Sequence, residues 1–144
     1  MTKILIINGP NLNLLGSREK NFYGNTTIEK IKSLCEDQCK NYGMECVFFQ
    51  SNHEGELIEK IQSVDKDFAG IIINPAAYTH TSIALLDALR ALSKPKVEIH
   101  LSNIYAREEF RKKTITGEGM DGIISGFGIS SYTLSIEAMK KLLG

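Results

Sequence analysis

Hydrophobic positions along the chain fall into two alternating kinds of segment. Short β-branched runs recur, and the stretches between them carry apolar residues at spacings of three and four. Lys3–Asn8 (Lys-Ile-Leu-Ile-Ile-Asn) is the first run and predicts a buried strand. Met44–Phe49, Gly70–Asn74, Lys96–Leu101 and Asp121–Gly126 predict four more. Gly70–Asn74 contains three consecutive isoleucines and is apolar on both faces, which places it centrally in a sheet.

A helix is predicted from about Thr27, with Thr26 and Glu29 spaced as a capping box and Gly43 placed to end it. Leu57, Ile58, Ile61 and Val64 supply the apolar face of a second helix. A third is predicted over Thr81–Leu92, stopped before Pro95. A short helix follows over Ala106–Lys112, and an amphipathic one over Ser131–Leu143 closes the chain. Five βα units joined by right-handed crossovers predict an α/β, three-layer, flavodoxin-like fold. Its five-stranded parallel sheet has the order 2-1-3-4-5, with helices on both faces.

Composition adds exclusions. The chain has 144 residues, which fits one domain over 1–144. It holds 17 Lys+Arg against 17 Asp+Glu, so nothing electrostatic argues for nucleic acid. No apolar stretch approaches the ~18 residues of a membrane span, and the run Ile4–Ile7 is too short for a signal peptide. Three cysteines without a secretory signal predict reduced thiols in a cytoplasmic protein. Cys35 and Cys39 share a helix face and read as small buried hydrophobes.

Candidate chemistry gathers where this topology expects a ligand, outside the carboxyl ends of the strands. Those ends read Asn8-Gly-Pro-Asn11, Asn52-His-Glu54, Asn74-Pro-Ala-Ala77, His100-Leu-Ser-Asn103 and Gly126-Phe-Gly128. The first connection, Gly9 to Asn25, runs 17 residues and carries Arg18 and Tyr23. It reads as an active-site lid at about 16–25 or as a plain surface loop, since unstructured loops this long are uncommon. Glu98 and His100 point to one strand face, a pairing that fixes the imidazole tautomer and suits the ring to proton donation. Leu101-Ser102-Asn103 precedes a helical turn and offers backbone N–H groups to an anion, as does Ala76-Ala77. Asn11 and Asn74 can donate to substrate oxygens. Arg107 and Arg111, one turn apart, are either a solvated helix face or part of the same rim.

These motifs resemble the type II 3-dehydroquinate dehydratases. The likeness runs through Asn8-Gly-Pro-Asn-Leu-Asn-Leu-Leu-Gly16, Arg18-Glu19, Tyr23-Gly24 and Ser51-Asn-His-Glu-Gly55. It continues through Asn74-Pro-Ala-Ala-Tyr-Thr-His-Thr-Ser82 and the stretch from Glu98-Ile-His-Leu-Ser-Asn103 to Arg111. The resemblance implies a cofactor-free, metal-free lyase that converts 3-dehydroquinate to 3-dehydroshikimate by anti elimination of water. By position it implies Tyr23 as the base at C2, Arg18 beside it, and His100 as the acid for the departing hydroxyl, oriented by Glu98. Asn11 would help stabilise the enolate. Asn74, Ser102 and the Leu101 backbone would hold the carboxylate, and His80 and Arg111 the remaining hydroxyls. Asp87 would reach a neighbouring subunit's site, within a dodecamer built from trimers. A free phenol titrates near pH 10, so a phenolic base needs cations beside it, and Arg107 is the second candidate after Arg18.

Three places depart from the family's pattern: Lys20 stands where proline is common, Thr116–Gly122 is unusually polar and Gly-rich, and Ser131 stands where glycine is common. Two other modules share the five βα units. A receiver-like signalling domain needs acidic residues where this chain has Asn8 and Asn74, and a flavodoxin-like carrier needs a Thr/Ser-rich phosphate loop in place of Gly-Pro-Asn-Leu-Asn. A zinc hydrolase would have to gather His53, His80 and His100 from scattered positions.

Overall fold

The computed structural model describes residues 1–16 and 25–144. The body of the expected lid, with Arg18, Lys20 and Tyr23, lies outside the described residues. Five strands, β1 (Thr2–Asn8), β2 (Met44–Gln50), β3 (Gly70–Asn74), β4 (Lys96–His100) and β5 (Gly122–Ser125), form one sheet in the order β2-β1-β3-β4-β5. Every pairing is parallel, as the alternating pattern requires.

The helices are α1 (Ile28–Asn41), α2 (Glu54–Gln62), α3 (Val64–Asp67), α4 (Ile83–Arg90) and α5 (Ser130–Leu143). Strand alternation divides the core between the two faces of the sheet. Ile4, Ile6, Ile72, Val97 and Ile99 pack against Ile31, Cys35 and Cys39 of α1 and Tyr132, Ile136 and Met139 of α5. Leu5, Ile7, Ile71 and Ile73 face Leu57, Ile61, Val64, Leu85 and Leu89 of α2, α3 and α4. No described helix is long and apolar enough to cross a membrane.

Several boundaries differ from the sequence-based expectation. The cap of α1 is Thr27, not Thr26: Thr27 has the extended backbone, and its hydroxyl accepts from the Lys30 N–H at 3.3 Å. Gly43 ends the helix as expected, at φ 71 with its N–H on the Lys40 carbonyl. α4 begins at Ile83 with Ser82 as its cap, and the preceding Ala76–His80 forms a 3-10 turn. The short helix expected over Ala106–Lys112 is instead two 3-10 turns, Ile104–Ala106 and Glu109–Arg111. Extended backbone at Arg107 and Glu108 separates them, so no continuous i→i+4 ladder forms.

Candidate active site

Pairing in register brings the strand ends level: Asn8 lies opposite both Gln50 and Asn74. The chain then leaves β1 and β3 at very close range. The Gly9 N–H donates to the Asn74 carbonyl at 2.8 Å, and a Cβ on Gly9 would lie 2.4 Å from the Pro75 carbonyl oxygen. Just beyond, Asn11 and Ala76 adopt left-handed backbone, at φ 69 and φ 53. Asn tolerates that region through its short polar side chain, while Ala does so at a cost. These sharp exits open a pocket at the switch between β1 and β3, as doubly wound sheets require.

Asn11, Asn74, His80, His100, Leu101, Ser102 and Arg111 all line this pocket, together with Ala76, Ala77 and Arg107. Leu12, Leu14 and Leu15, on the described stretch before Ser17, supply its apolar wall. Its volume is about 150 Å³, comparable to a cavity that accepts one benzene-sized ring. The site is scaled to a single small ring carrying polar groups.

Asn74 is held at both ends of its amide. Its Oδ1 accepts from the Ala76 N–H at 3.2 Å, and its Nδ2 donates to the Tyr132 hydroxyl at 3.1 Å. Tyr132, fully buried on α5, donates in turn to Asn8 Oδ1, and Asn8 Nδ2 donates to the Phe49 carbonyl. The amide orientation of Asn74 therefore follows from the donor directions along this chain of hydrogen bonds. Ser131 is buried one residue before Tyr132, and its hydroxyl accepts from the Phe127 N–H.

His100 and Glu98 share the face of β4 that carries Ile73 beside them, but a carboxylate occupies what would be a core position. Glu98 is fully buried and His100 is 5% exposed, with 2.7 Å between Nε2 and Oε2. The hydroxyls of Thr79, Thr114 and Thr116 also reach the carboxylate. Burial alone pushes the Glu98 carboxyl up. The hydrogen bond and charge of His100, then the Thr116 and Thr114 hydroxyls, together hold it below its ordinary value. Glu98 is thus an ionised acceptor behind His100, not a pocket-lining group.

His80 is anchored through Nδ1 on the Lys113 carbonyl at 2.7 Å. Arg107 reaches Ser102 at 3.4 Å, whereas Arg111 is braced by Glu108 at 2.9 Å and lies over the Phe110 ring. The arginines reach one rim from two separate turns, not from one helix. The Asn103 side chain caps the turn after Leu101-Ser102-Asn103, accepting from the Tyr105 N–H at 3.1 Å.

Two expected groups stand elsewhere. Asp87 is exposed on α4, in a groove with Ile58, Gln62 and Asp65, away from this chain's own pocket. His53 is exposed at the start of α2 and outside the pocket, so the three histidines do not gather. Among the described residues no three His, Cys, Asp or Glu side chains cluster as metal ligands. Sequence reasoning missed Tyr132 and the three threonines. The available signal was Glu98 itself: a carboxylate at an inward strand position requires buried donors, and Thr114 and Thr116 have i,i+2 spacing.

The model of the family "Dehydroquinase class II" matches residues 2–140. The chain belongs to that family. Among its relatives is a 3-dehydroquinate dehydratase of Caldicellulosiruptor saccharolyticus, 52% identical over 100% of both chains. The crystal structure of type II dehydroquinase from Butyrivibrio crossotus superposes with a TM-score of 0.93 at 46% identity, covering 96% of this chain and 97% of that one. The corresponding structure from Propionibacterium acnes gives a TM-score of 0.95 at 35% identity, with 98% and 97% covered. This class II dehydroquinase is a hydro-lyase, and its flavodoxin-like fold is the family's own.

Proposed function

We propose that the chain removes water from 3-dehydroquinate to give 3-dehydroshikimate by anti elimination through an enolate. Tyr23 takes the C2 proton and the electron pair moves onto the ketone oxygen. His100 then protonates the C1 hydroxyl as it departs, so that one water leaves and the conjugated enone forms. Arg18, with Arg107 as the second cation, favours the ionised phenol. Asn11 serves the enolate; Asn74, Ser102 and the Leu101 backbone hold the carboxylate; His80 and Arg111 hold the hydroxyls.

The observation that carries this reading is the buried Glu98–His100 pair, whose histidine lines a ring-sized pocket that also presents Asn11, Asn74, Ser102 and two arginines opposite an apolar wall. A lid residue and a strand-end residue can approach one ring from opposite sides, as anti elimination demands. Support for the lid comes from its anchors. Leu14 and Leu15 line the pocket, and a Cβ on Gly16 would lie 3.2 Å from the Asn25 carbonyl, so the segment's two ends stand side by side.

The exposed position of Asp87, off its own pocket, supports a site completed by a neighbouring subunit in a dodecamer built from trimers. The free cysteines support a cytoplasmic setting. Incubating the protein with 3-dehydroquinate and EDTA, and following the enone in the ultraviolet, tests the reaction. Sustained turnover is expected, and a silent assay with folded protein refutes it. Sedimentation velocity tests the assembly.

A further inference from the structure

Three threonines from two separate segments converge on one carboxylate. Thr79 belongs to the 3-10 turn after β3, while Thr114 and Thr116 lie in the loop before β5. Glu98 Oε2 is 2.7 Å from His100 Nε2, 2.8 Å from the Thr114 hydroxyl and 3.0 Å from that of Thr79, and Oε1 accepts from Thr116. A carboxylate has about four lone-pair sites, and one imidazole N–H and three hydroxyls stand around this one.

Donor directions follow from the surroundings. The Thr114 oxygen already accepts from the Gly117 N–H at 2.9 Å, which leaves its proton for Glu98. The Thr79 oxygen lies within hydrogen-bond distance of both other hydroxyls and of the carboxylate, so its single proton serves one of these three acceptors at a time. The two segments are fastened by main chain as well, the Ile115 N–H donating to the Thr79 carbonyl at 2.6 Å. The turn is tight enough that a Cβ on Gly117 would lie 2.8 Å from Thr114 Cγ2 and 2.7 Å from Ile123 Cδ1. Thr79, Thr116 and Glu98 are all fully buried, so no solvent replaces a missing hydroxyl.

We infer that Thr114 and Thr116, packed against Thr79, are positioning residues for the elimination: their hydroxyls lock the Glu98 carboxylate so that it holds His100 Nε2–H, and the proton given to the departing hydroxyl is the one the imidazolium carries on Nδ1, which is left as an acceptor afterwards. A carboxylate lacking one of these donors can rotate toward the others, and the imidazole turns with it. The inference rests on His100 as the acid in the proposed reaction.

The test uses the full-length enzyme with Thr116→Val, Thr116→Ser and Thr114→Val, measuring kcat and KM for 3-dehydroquinate and the ring 15N signals of His100. Loss of a hydrogen bond to a charged group predicts a fall in kcat of roughly 10–100-fold for each valine variant. KM is expected to change little, because none of these hydroxyls lines the pocket. Thr116→Ser keeps kcat near the parent, and only the valine variants mix the two ring tautomers. A folded Thr116→Val enzyme with parent kcat and a single parent tautomer overturns the inference. Should Thr116→Val not fold, Thr114→Val, at a half-buried position, decides the matter by the same two readouts. His100→Ala separates the two levels: full activity there overturns the histidine's role itself. An inactive His100→Ala beside a fully active Thr116→Val overturns only the role of the hydroxyls.

Discussion

The Asn74 side chain donates to the Tyr132 hydroxyl across 3.1 Å, tying the carboxyl end of β3 to the first turn of α5. The same hydroxyl donates to Asn8 on β1, so one phenol orders two strand ends. Tyr132→Phe leaves the Asn8 oxygen without this donor and frees the Asn74 amide in a buried setting. A loss of about 1–3 kcal/mol is expected, roughly a 3–10 °C drop in Tm for a chain of this size. KM for 3-dehydroquinate is expected to rise more than kcat falls, because Asn74 is proposed to hold the substrate carboxylate. Thermal melts and steady-state kinetics check both.

Removal of either proposed proton carrier tests the elimination directly. General acid–base groups contribute about 10²–10⁴-fold, so Tyr23→Phe and His100→Ala are each expected to lose turnover by that order. Both variants should still bind a substrate analogue in calorimetry. Near-parent turnover in purified Tyr23→Phe removes the tyrosine as base. Arg18→Lys exchanges a planar fork for a mobile point charge and is expected to be severe as well, with a shifted pH–rate profile.

The Glu98 carboxyl sits below its ordinary value of 4.5 in the folded protein. Unfolding therefore takes up a proton between the folded and unfolded values, and stability rises with pH across that window. The contribution is complete above about pH 4.5 and is lost as pH falls through the lowered folded value. Glu98→Gln has no such group and should show a shallower dependence of Tm on pH below 4.5. An unchanged slope in that variant would assign the acid sensitivity to other carboxylates.

Gly9→Ala would place a Cβ 2.4 Å from the Pro75 carbonyl oxygen and 2.8 Å from its carbon. Both atoms are backbone, so one of the two strand exits must move. Overpacking of this kind costs about 1–3 kcal/mol, and displacement of Asn11 or Asn74 should lower kcat/KM together with Tm. A melt at the parent temperature with parent kinetics would show that the exits shift freely.

The alternation of apolar runs and amphipathic stretches determined the five strands, their order and the four longer helices, because period and burial are local properties of the chain. β3 emerged with its expected bounds, Gly70–Asn74, since a run buried on both faces has no ambiguous end. Caps were less legible. Thr26 and Thr27 are adjacent hydroxyls, and only the backbone turn selects Thr27. The Glu98–His100 pair was legible too, because i and i+2 on a strand must share a face. The expected helix carrying Arg107 and Arg111 broke into two turns, for the extended backbone at Arg107 and Glu108 is set by their neighbours.

The threonines around Glu98 lie 16, 18 and 19 residues from it, and Tyr132 lies 58 from Asn74 and 124 from Asn8. No local spacing encodes such contacts. By itself the sequence determined which residues stand at the strand ends, and those after β1, β3 and β4 line the pocket. Only the tertiary structure decided how those residues are held, because a buried polar group takes its partners from whatever segments the packed chain brings within about 3 Å.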